Sequence, residues 1–170
     1  MIIAISGMTG SGKNTLGELL AKKLGYSIVS PTFKDLANKE GIPLLEFQKK
    51  AEKDPNIDFK FDELLKEQAK GNCVVTTWLG PWILDATVRI KIFASDQIRA
   101  ERIAKRDGMS SKEALDHLKK RDDHNRKRYK KIYEIDLDNN DLFDACINSG
   151  IYPPEKLLEL SLAIIKTKIV

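Results

Sequence analysis

The 170-residue sequence predicts a single α/β domain, a mostly parallel sheet of about five strands with helices on both faces. Three observations predict it. The length suits one ordinary domain, and 42% apolar against 32% charged residues is enough to bury a core. Short β-branched runs alternate with longer stretches of helical period, so right-handed crossovers must join successive strands. The first run, Met1 to Ser6, ends in a glycine-rich turn that opens directly into a helical pattern.

Met1 to Ser6 is β-branched and uncharged, as a strand covered on both faces requires. Leu16, Leu19, Leu20 and Leu24 then recur at helical spacing, and Gly25 stands where a helix would close. Tyr26 to Ser30 reads as a second strand, stopped by Pro31. Three helical stretches occupy Thr32 to Lys70, broken at Gly41-Ile42-Pro43 and at Asp54-Pro55. Pro43 suits a first helical position, and Asp54 is pushed out of the helical region by the proline after it. Asn72 to Trp78 and Thr87 to Phe93 are the next strands. A helix runs from Ser95 or Asp96 to Arg106 and stops at Gly108. Another starts at Ser110 or Ser111, where Ser110-Ser111-Lys112-Glu113 is a capping-box pattern. Phe143 to Asn148 is the last strand, and Pro153-Pro154 leads into an apolar helix from Glu155 to Lys166. No internal repeat, low-complexity tract or linker divides the chain.

The net charge of +4 is unevenly spread, because Arg99 to Lys131 holds 13 Lys/Arg against 6 Asp/Glu. One segment is built to meet anions, and the whole surface is not. Cys73 and Cys146 form neither a C-x-x-C pair nor a cluster with histidine, so neither a disulfide framework nor a zinc site is expected, and a cytoplasmic setting fits. The longest uncharged stretch, Gly71 to Leu84, is 14 residues long and contains Gly80-Pro81, too short to span a bilayer. No basic region precedes the first apolar run, so a secretory signal is not expected.

Gly7-Met8-Thr9-Gly10-Ser11-Gly12-Lys13-Asn14-Thr15 matches G-x-x-x-x-G-K, with Asn14 where the pattern has serine or threonine. Its glycines let successive backbone N–H groups turn inward, a cradle for phosphate at a helix start whose dipole also favours negative charge. Lys13 is expected to expose its ammonium and to reach the β- and γ-phosphates as a point charge. The strand before the motif and the amphipathic helix after it separate this loop from a plain connecting turn. Thr15 offers a hydroxyl one residue late, either to Mg²⁺ or as a polar group in the first helical turn. Phosphates and water can hold most of such an ion.

Two other classes of protein fit less well. A guanine-reading N-K-x-D begins at Asn38-Lys39-Glu40, but Gly41 replaces its aspartate. A nucleic-acid surface would interleave aromatics with the basic residues, and only Tyr129 and Tyr133 do so here. The arginines instead form two groups, with Arg99, Arg102 and Arg106 on one helical face and Arg121, Arg126 and Arg128 beyond. A solvated face is the ordinary reading of such a run. Beside a phosphate loop in so small a domain, the arginines read better as clamps on a transferring phosphoryl group.

From Ile3 to about Ile165 the chain resembles the archaeal-type cytidylate kinases, within the nucleoside monophosphate kinase group. The matching stretches are Gly7 to Thr15, Ala51-Glu52-Lys53-Asp54-Pro55 with Ile57-Asp58, Arg99-Ala100-Glu101-Arg102-Ile103-Ala104 with Arg106, and Lys120-Arg121-Asp122 through Arg126-Lys127-Arg128-Tyr129 to Ile135-Asp136. The resemblance implies a three-layer P-loop NTPase fold, with its core at about 1–30, 71–95 and 141–170, acceptor-binding helices at about 31–70 and a helical lid at about 99–131. It implies transfer of the γ-phosphoryl of ATP to CMP or dCMP with Mg²⁺. Another nucleoside monophosphate or small phosphate acceptor is the alternative, and a nucleotide-dependent RNA-binding factor is the alternative from another class. A monomer with neither membrane nor nucleic-acid partner is expected.

By the same resemblance, Ser30 begins the acceptor-binding region, and Lys34 sits where an arginine commonly holds the acceptor phosphate. Arg102 and Arg106 fall in the lid, and Arg121 and Arg128 match arginines used around the transferred group and acceptor. Asp58 lies four residues after Asp54, so both face one pocket if helical, unless Asp54 caps the helix that holds Asp58. Asn125 stands where bacterial members carry an aspartate. The segment from Thr76 to Trp82 replaces an acidic-Gly-Arg sequence, which puts Trp78 in the arginine's place. Trp78 either packs in the core or forms a stacking wall for a nucleobase. His117 and His124, without a carboxylate arrangement to make either a base, are expected at the surface.

Overall fold

The computed structural model describes residues 1–169, the side chains of residues 34, 44, 45, 48, 49 and 52 excepted. Among the described residues, five strands form one parallel sheet: β1 (Ile2–Ser6), β2 (Ser27–Val29), β3 (Cys73–Val75), β4 (Val88–Phe93) and β5 (Ala145–Asn148). Their order is β2-β3-β1-β4-β5. Ile3 lies opposite Val74 on one side and Val88 on the other, so β1 is central. From β1 the chain crosses to β2 at one edge, and from β3 it crosses back past β1 to β4. A crevice therefore opens at the carboxyl end of β1, the usual ligand position in an open parallel sheet.

Alternate residues of each strand feed opposite layers. Ile3, Ile5 and Val74 pack with Leu16 and Leu20 of α1 (Lys13–Leu24) and with Leu157 and Ile165 of α8 (Pro154–Ile169). Cys73 and Val75 point the other way, against Leu65 of α4 (Asn56–Gln68) and Leu84 just after α5 (Gly80–Ile83). Each such aliphatic side chain contributes about 1.5–3 kcal/mol on burial, so the sheet and its two helical layers form together.

Two helical groups keep small cores of their own. Leu36 of α2 (Phe33–Glu40), Phe47 of α3 (Leu44–Lys53) and Ile57 of α4 form one. Ala100 and Ile103 of α6 (Asp96–Asp107) pack on Ala114 and Leu118 of α7 (Ser111–Tyr133) in the other. These groups occupy the regions expected for the acceptor-binding helices and the lid.

Local signals placed most boundaries. Gly25 and Gly108 close α1 and α6, and Ser110 and Glu113 form the expected capping box. Thr32 and Asp35 form a second one that opens α2. The strand expected over Asn72 to Trp78 stops at Val75. Beyond it the Ser6 hydroxyl donates to the Trp78 carbonyl at 2.7 Å, and Thr77 Oγ1 accepts from the Gly80 N–H at 3.0 Å. Those bonds turn the chain into α5, which no periodicity announced. Pro43 sits one residue before the first helical position, and α8 runs past Lys166 to Ile169. The last strand begins at Ala145, because the Asp144 carboxylate is engaged by the Arg89 N–H at 2.8 Å.

Candidate active site

The loop from Gly7 to Gly12 joins β1 to α1 and lies tightly against its surroundings. A side chain at Gly7 would place its Cβ 2.5 Å from the Ile92 carbonyl oxygen. Gly10 has φ +78°, and a Cβ there would meet the Arg99 carbonyl at 2.8 Å. Both contacts are with backbone, which cannot yield, so the loop tolerates only glycine at these points. A loop that turns N–H groups inward must turn carbonyls outward, and two arginines of α6 satisfy them. Arg99 donates to the Thr9 carbonyl at 3.1 Å, and Arg102 donates to Gly10 at 3.3 Å and Ser11 at 3.4 Å. Arg102 also bonds the Ser149 hydroxyl and carbonyl, at 3.0 and 2.7 Å.

Arg99 is buried, paired with Asp122 of α7 at 2.7 Å and with Asp96 at 2.6 Å. It ties α6, α7 and the loop into one body, a role visible beforehand only as the first member of the R-x-x-R spacing. Arg106, the third, pairs with its neighbour Asp107 at 2.6 and 2.7 Å and borders the cavity.

That cavity, about 890 Å³, is bordered by Thr9, Gly10, Gly12, Lys13, Asn14 and Thr15, and among the described residues no carboxylate lines it. Gly7, Met8 and Ser11 lie behind its wall, with the Met8 sulfur 3.3 Å from Arg126. Lys13 is half-buried rather than exposed. Burial, reinforced by Arg121 and Arg106 nearby, lowers its pKa to about 8. Lys13 and Arg121 face this cavity with no carboxylate partner among the described residues, an arrangement that suits a polyanion.

A second cavity, about 880 Å³, opens beyond Trp78 between α2, α4 and α7. Ser30, Phe33, Asp58 and Asp62 line one side of it, and Arg121, Asn125, Arg128 and Tyr129 the other. Lys34 stands in the first turn of α2, but its side chain lies outside the described residues. Asp54 does not line the cavity with Asp58; it ends α3, and its carboxylate accepts from the Asn56 N–H at 3.0 Å at the start of α4. His117 and His124 are exposed on the rim.

From the sequence, Arg121 and Arg128 act together on the transferred group. The structure brings both to the second cavity but gives them different partners. Arg121 is exposed and lines both cavities. Arg128 forms a buried fork with Asp58, at 3.0 and 2.6 Å, and bonds the Ala51 carbonyl at 2.7 Å. It fastens α7 to the acceptor-side helices, because a half-buried guanidinium and a buried carboxylate facing each other lower each other's cost of burial.

The chain matches the Cytidylate kinase-like family over residues 2–151. It belongs to this family. The cytidylate kinase of Pyrobaculum calidifontis is 40% identical over 174 residues, covering 99% of this chain and 95% of that protein. That of Ignicoccus hospitalis is 38% identical over 163 residues, covering 93% and 95%. Among solved structures, the shikimate kinase of Aquifex aeolicus shares the fold with TM-score 0.60 at 22% identity, covering 99% of this chain and 98% of that one. The three-layer P-loop kinase fold expected from the sequence is therefore present.

Within the family pattern, Trp78 is the position that needed the structure. It is half-buried, belongs to both cavities, and lies 6.3 Å from Tyr129 between ring centroids. The packing role falls to Trp82, edge-on to Phe143 at 5.2 Å. Asp62 and Tyr133 were not anticipated as site residues. The Tyr133 hydroxyl donates to Asp62 Oδ2 at 2.6 Å, and burial lifts the Asp62 carboxyl to about 6. Their signal was the four-residue spacing of Asp58 to Asp62 and of Tyr129 to Tyr133. Among the described residues, no three His, Cys, Asp or Glu side chains converge on a metal position. The oxygens of Thr15 and Asn14, both at the donor-side cavity, suit a hard cation whose other ligands come from phosphate and water.

Proposed function

We propose that the protein is an ATP-dependent cytidylate kinase, passing the γ-phosphoryl group of ATP to CMP or dCMP. The observation that carries this reading is that two cavities of nearly equal size meet at one cationic junction, where Lys13, Asn14, Trp78 and Arg121 line both. Transfer between two nucleotides needs two anion sites that share a wall. Hydrolysis, or binding alone, needs one.

On the donor side, the loop N–H groups and Lys13 hold the β- and γ-phosphates. Tyr152 and Ile151, exposed beyond β5, offer an apolar surface for the adenine ring. Arg102 holds the Gly10 and Ser11 carbonyls and also lines the donor-side cavity. Arg121 faces the point where the phosphoryl group crosses and balances the charge spreading over it. Phosphoryl transfer asks chiefly for positioning and charge stabilisation, so no histidine–carboxylate base is required. When bound, Mg²⁺ neutralises phosphate charge, held by the phosphates with Thr15 and Asn14. Filling both cavities excludes the water that competes as acceptor. The protein acts as a cytoplasmic monomer.

A coupled assay with ATP across AMP, CMP, UMP, GMP and their deoxy forms tests this. CMP and dCMP are the expected acceptors. ATP binding with transfer to none of them would refute the acceptor assignment. Salt-sensitive RNA retention without any transfer would favour an RNA-binding factor instead.

A further inference from the structure

Asp58 and Asp62 stand one helical turn apart on α4, both buried, and meet very different partners. Both oxygens of Asp58 are taken by Arg128. Asp62 receives only the Tyr133 hydroxyl, on Oδ2, and no cation pairs with it among the described residues. Its Oδ1 has no hydrogen-bond partner among the described residues, and Asp62 lines the acceptor cavity. A buried carboxylate without a cation opposes folding, and an apolar residue beside Phe61 and Leu65 would fit the fold better. Tyr133 holds the carboxylate by one oxygen and leaves the other available to a ligand in the cavity.

The position has a direction. From Trp78 at the junction, the ring of Tyr129 is 6.3 Å away and that of Tyr133 a further 6.3 Å from Tyr129. Asp62, bonded to Tyr133, therefore stands two aromatic rings along the cavity wall from the junction residue Trp78, and an acceptor held by its phosphate at the junction would extend its base along that row.

We propose that Asp62, oriented by Tyr133, reads the acceptor base through an exocyclic amino group and so selects an amino-pyrimidine over an oxo-pyrimidine. This rests on the kinase reading above and adds to it the group that sets specificity. The ionised Oδ1 accepts the amino N–H of cytosine. Uracil would turn a carbonyl oxygen to the same atom, leaving two acceptors face to face without a proton between them. Sites built around such a hydrogen bond reject analogues that lack the donor far more strongly than apolar pockets reject a missing methylene.

The test compares wild type, Asp62→Asn and Tyr133→Phe, measuring kcat/KM for CMP and UMP with ATP and, separately, CMP and UMP binding by calorimetry. Asp62→Asn replaces the obligate acceptor by an amide that serves either base, so the CMP-to-UMP ratio should fall by at least ~10-fold, in KM for the acceptor, with KM for ATP unchanged. Tyr133→Phe should move the ratio the same way by a smaller factor, and it decides the matter if the asparagine variant fails to fold. An unchanged ratio in both measurements, or equal losses for CMP and UMP, overturns the proposal, as does a wild type that binds neither. Wild type that binds CMP over UMP through Asp62 but transfers to neither would uphold the assignment of Asp62 and refute the kinase reading alone.

Discussion

Arg128→Ala is the perturbation for which the structure changes the expected outcome most. From the sequence alone, Arg128 grips phosphate and its loss lowers turnover while leaving stability intact. In the structure, its guanidinium closes a fork on Asp58 at 3.0 and 2.6 Å, and the two side chains are only 12% and 5% exposed. Truncation leaves the Asp58 charge buried with no partner. Two unit charges about 4 Å apart at an effective dielectric near 20 interact by about 4 kcal/mol, and broken buried pairs cost about 3–5 kcal/mol. In a chain of this size, each kcal/mol moves the melting midpoint by about 2–4 °C, so a fall on the order of 10 °C follows. Urea unfolding followed by circular dichroism reads the same quantity. The double variant Asp58→Leu with Arg128→Met, which removes both charges and keeps the volume, should recover most of the loss. A cost below about 1 kcal/mol for Arg128→Ala would refute the reasoning, because the guanidinium would then be free of Asp58 in solution and available to the transferred group.

Arg121→Lys should cut turnover at least ~10-fold with the unfolding midpoint unmoved, since the lysine keeps the charge but not the planar fork, and among the described residues no carboxylate pairs with Arg121; near-normal turnover in this variant would reduce Arg121 to a solvated cation. Lys13→Ala should lower turnover at least ~100-fold without loss of stability. The folded pKa of Lys13 is lowered to about 8 from 10.5, so its charge opposes folding below pH 8 and that penalty fades as pH rises toward 10.5; the variant should melt at or above wild type at pH 7, with the gain gone by about pH 10.5. Asp62→Asn should raise stability at pH 8 by up to about 3 kcal/mol, because the folded pKa of about 6 lies above the ordinary 3.8 and burial penalises the ionised form. The gain should shrink as pH falls from 6 to 4, where Asp62 takes up its proton beside Asp58, Glu63 and Lys66 on α4 and Tyr133 on α7; a variant less stable than wild type at pH 8 would sink this account.

The phosphate loop, the strand and helix order and most helix boundaries were legible in the sequence because their causes are local. A capping box closes within three residues at Ser110, a proline acts on its neighbour at Asp54, and a glycine loop binds phosphate through its own N–H groups. The four motif stretches likewise announced the family before any contact was known. What only tertiary structure decided was which charges meet. Arg121 and Arg128 are interchangeable as sequence, seven residues apart in one basic run, yet one faces the junction and the other is held by an aspartate 70 positions away. Arg99 and Arg102 read as clamps for a ligand, and both bond loop carbonyls from about 90 residues distant, Arg102 while also lining the cavity. Asp62 looked like its neighbour Asp58 until α7 supplied an arginine to one and a phenol to the other. A side chain's identity bounds its chemistry; its role follows from whether its partner is protein or ligand, and that partner is chosen by packing between elements remote in the chain.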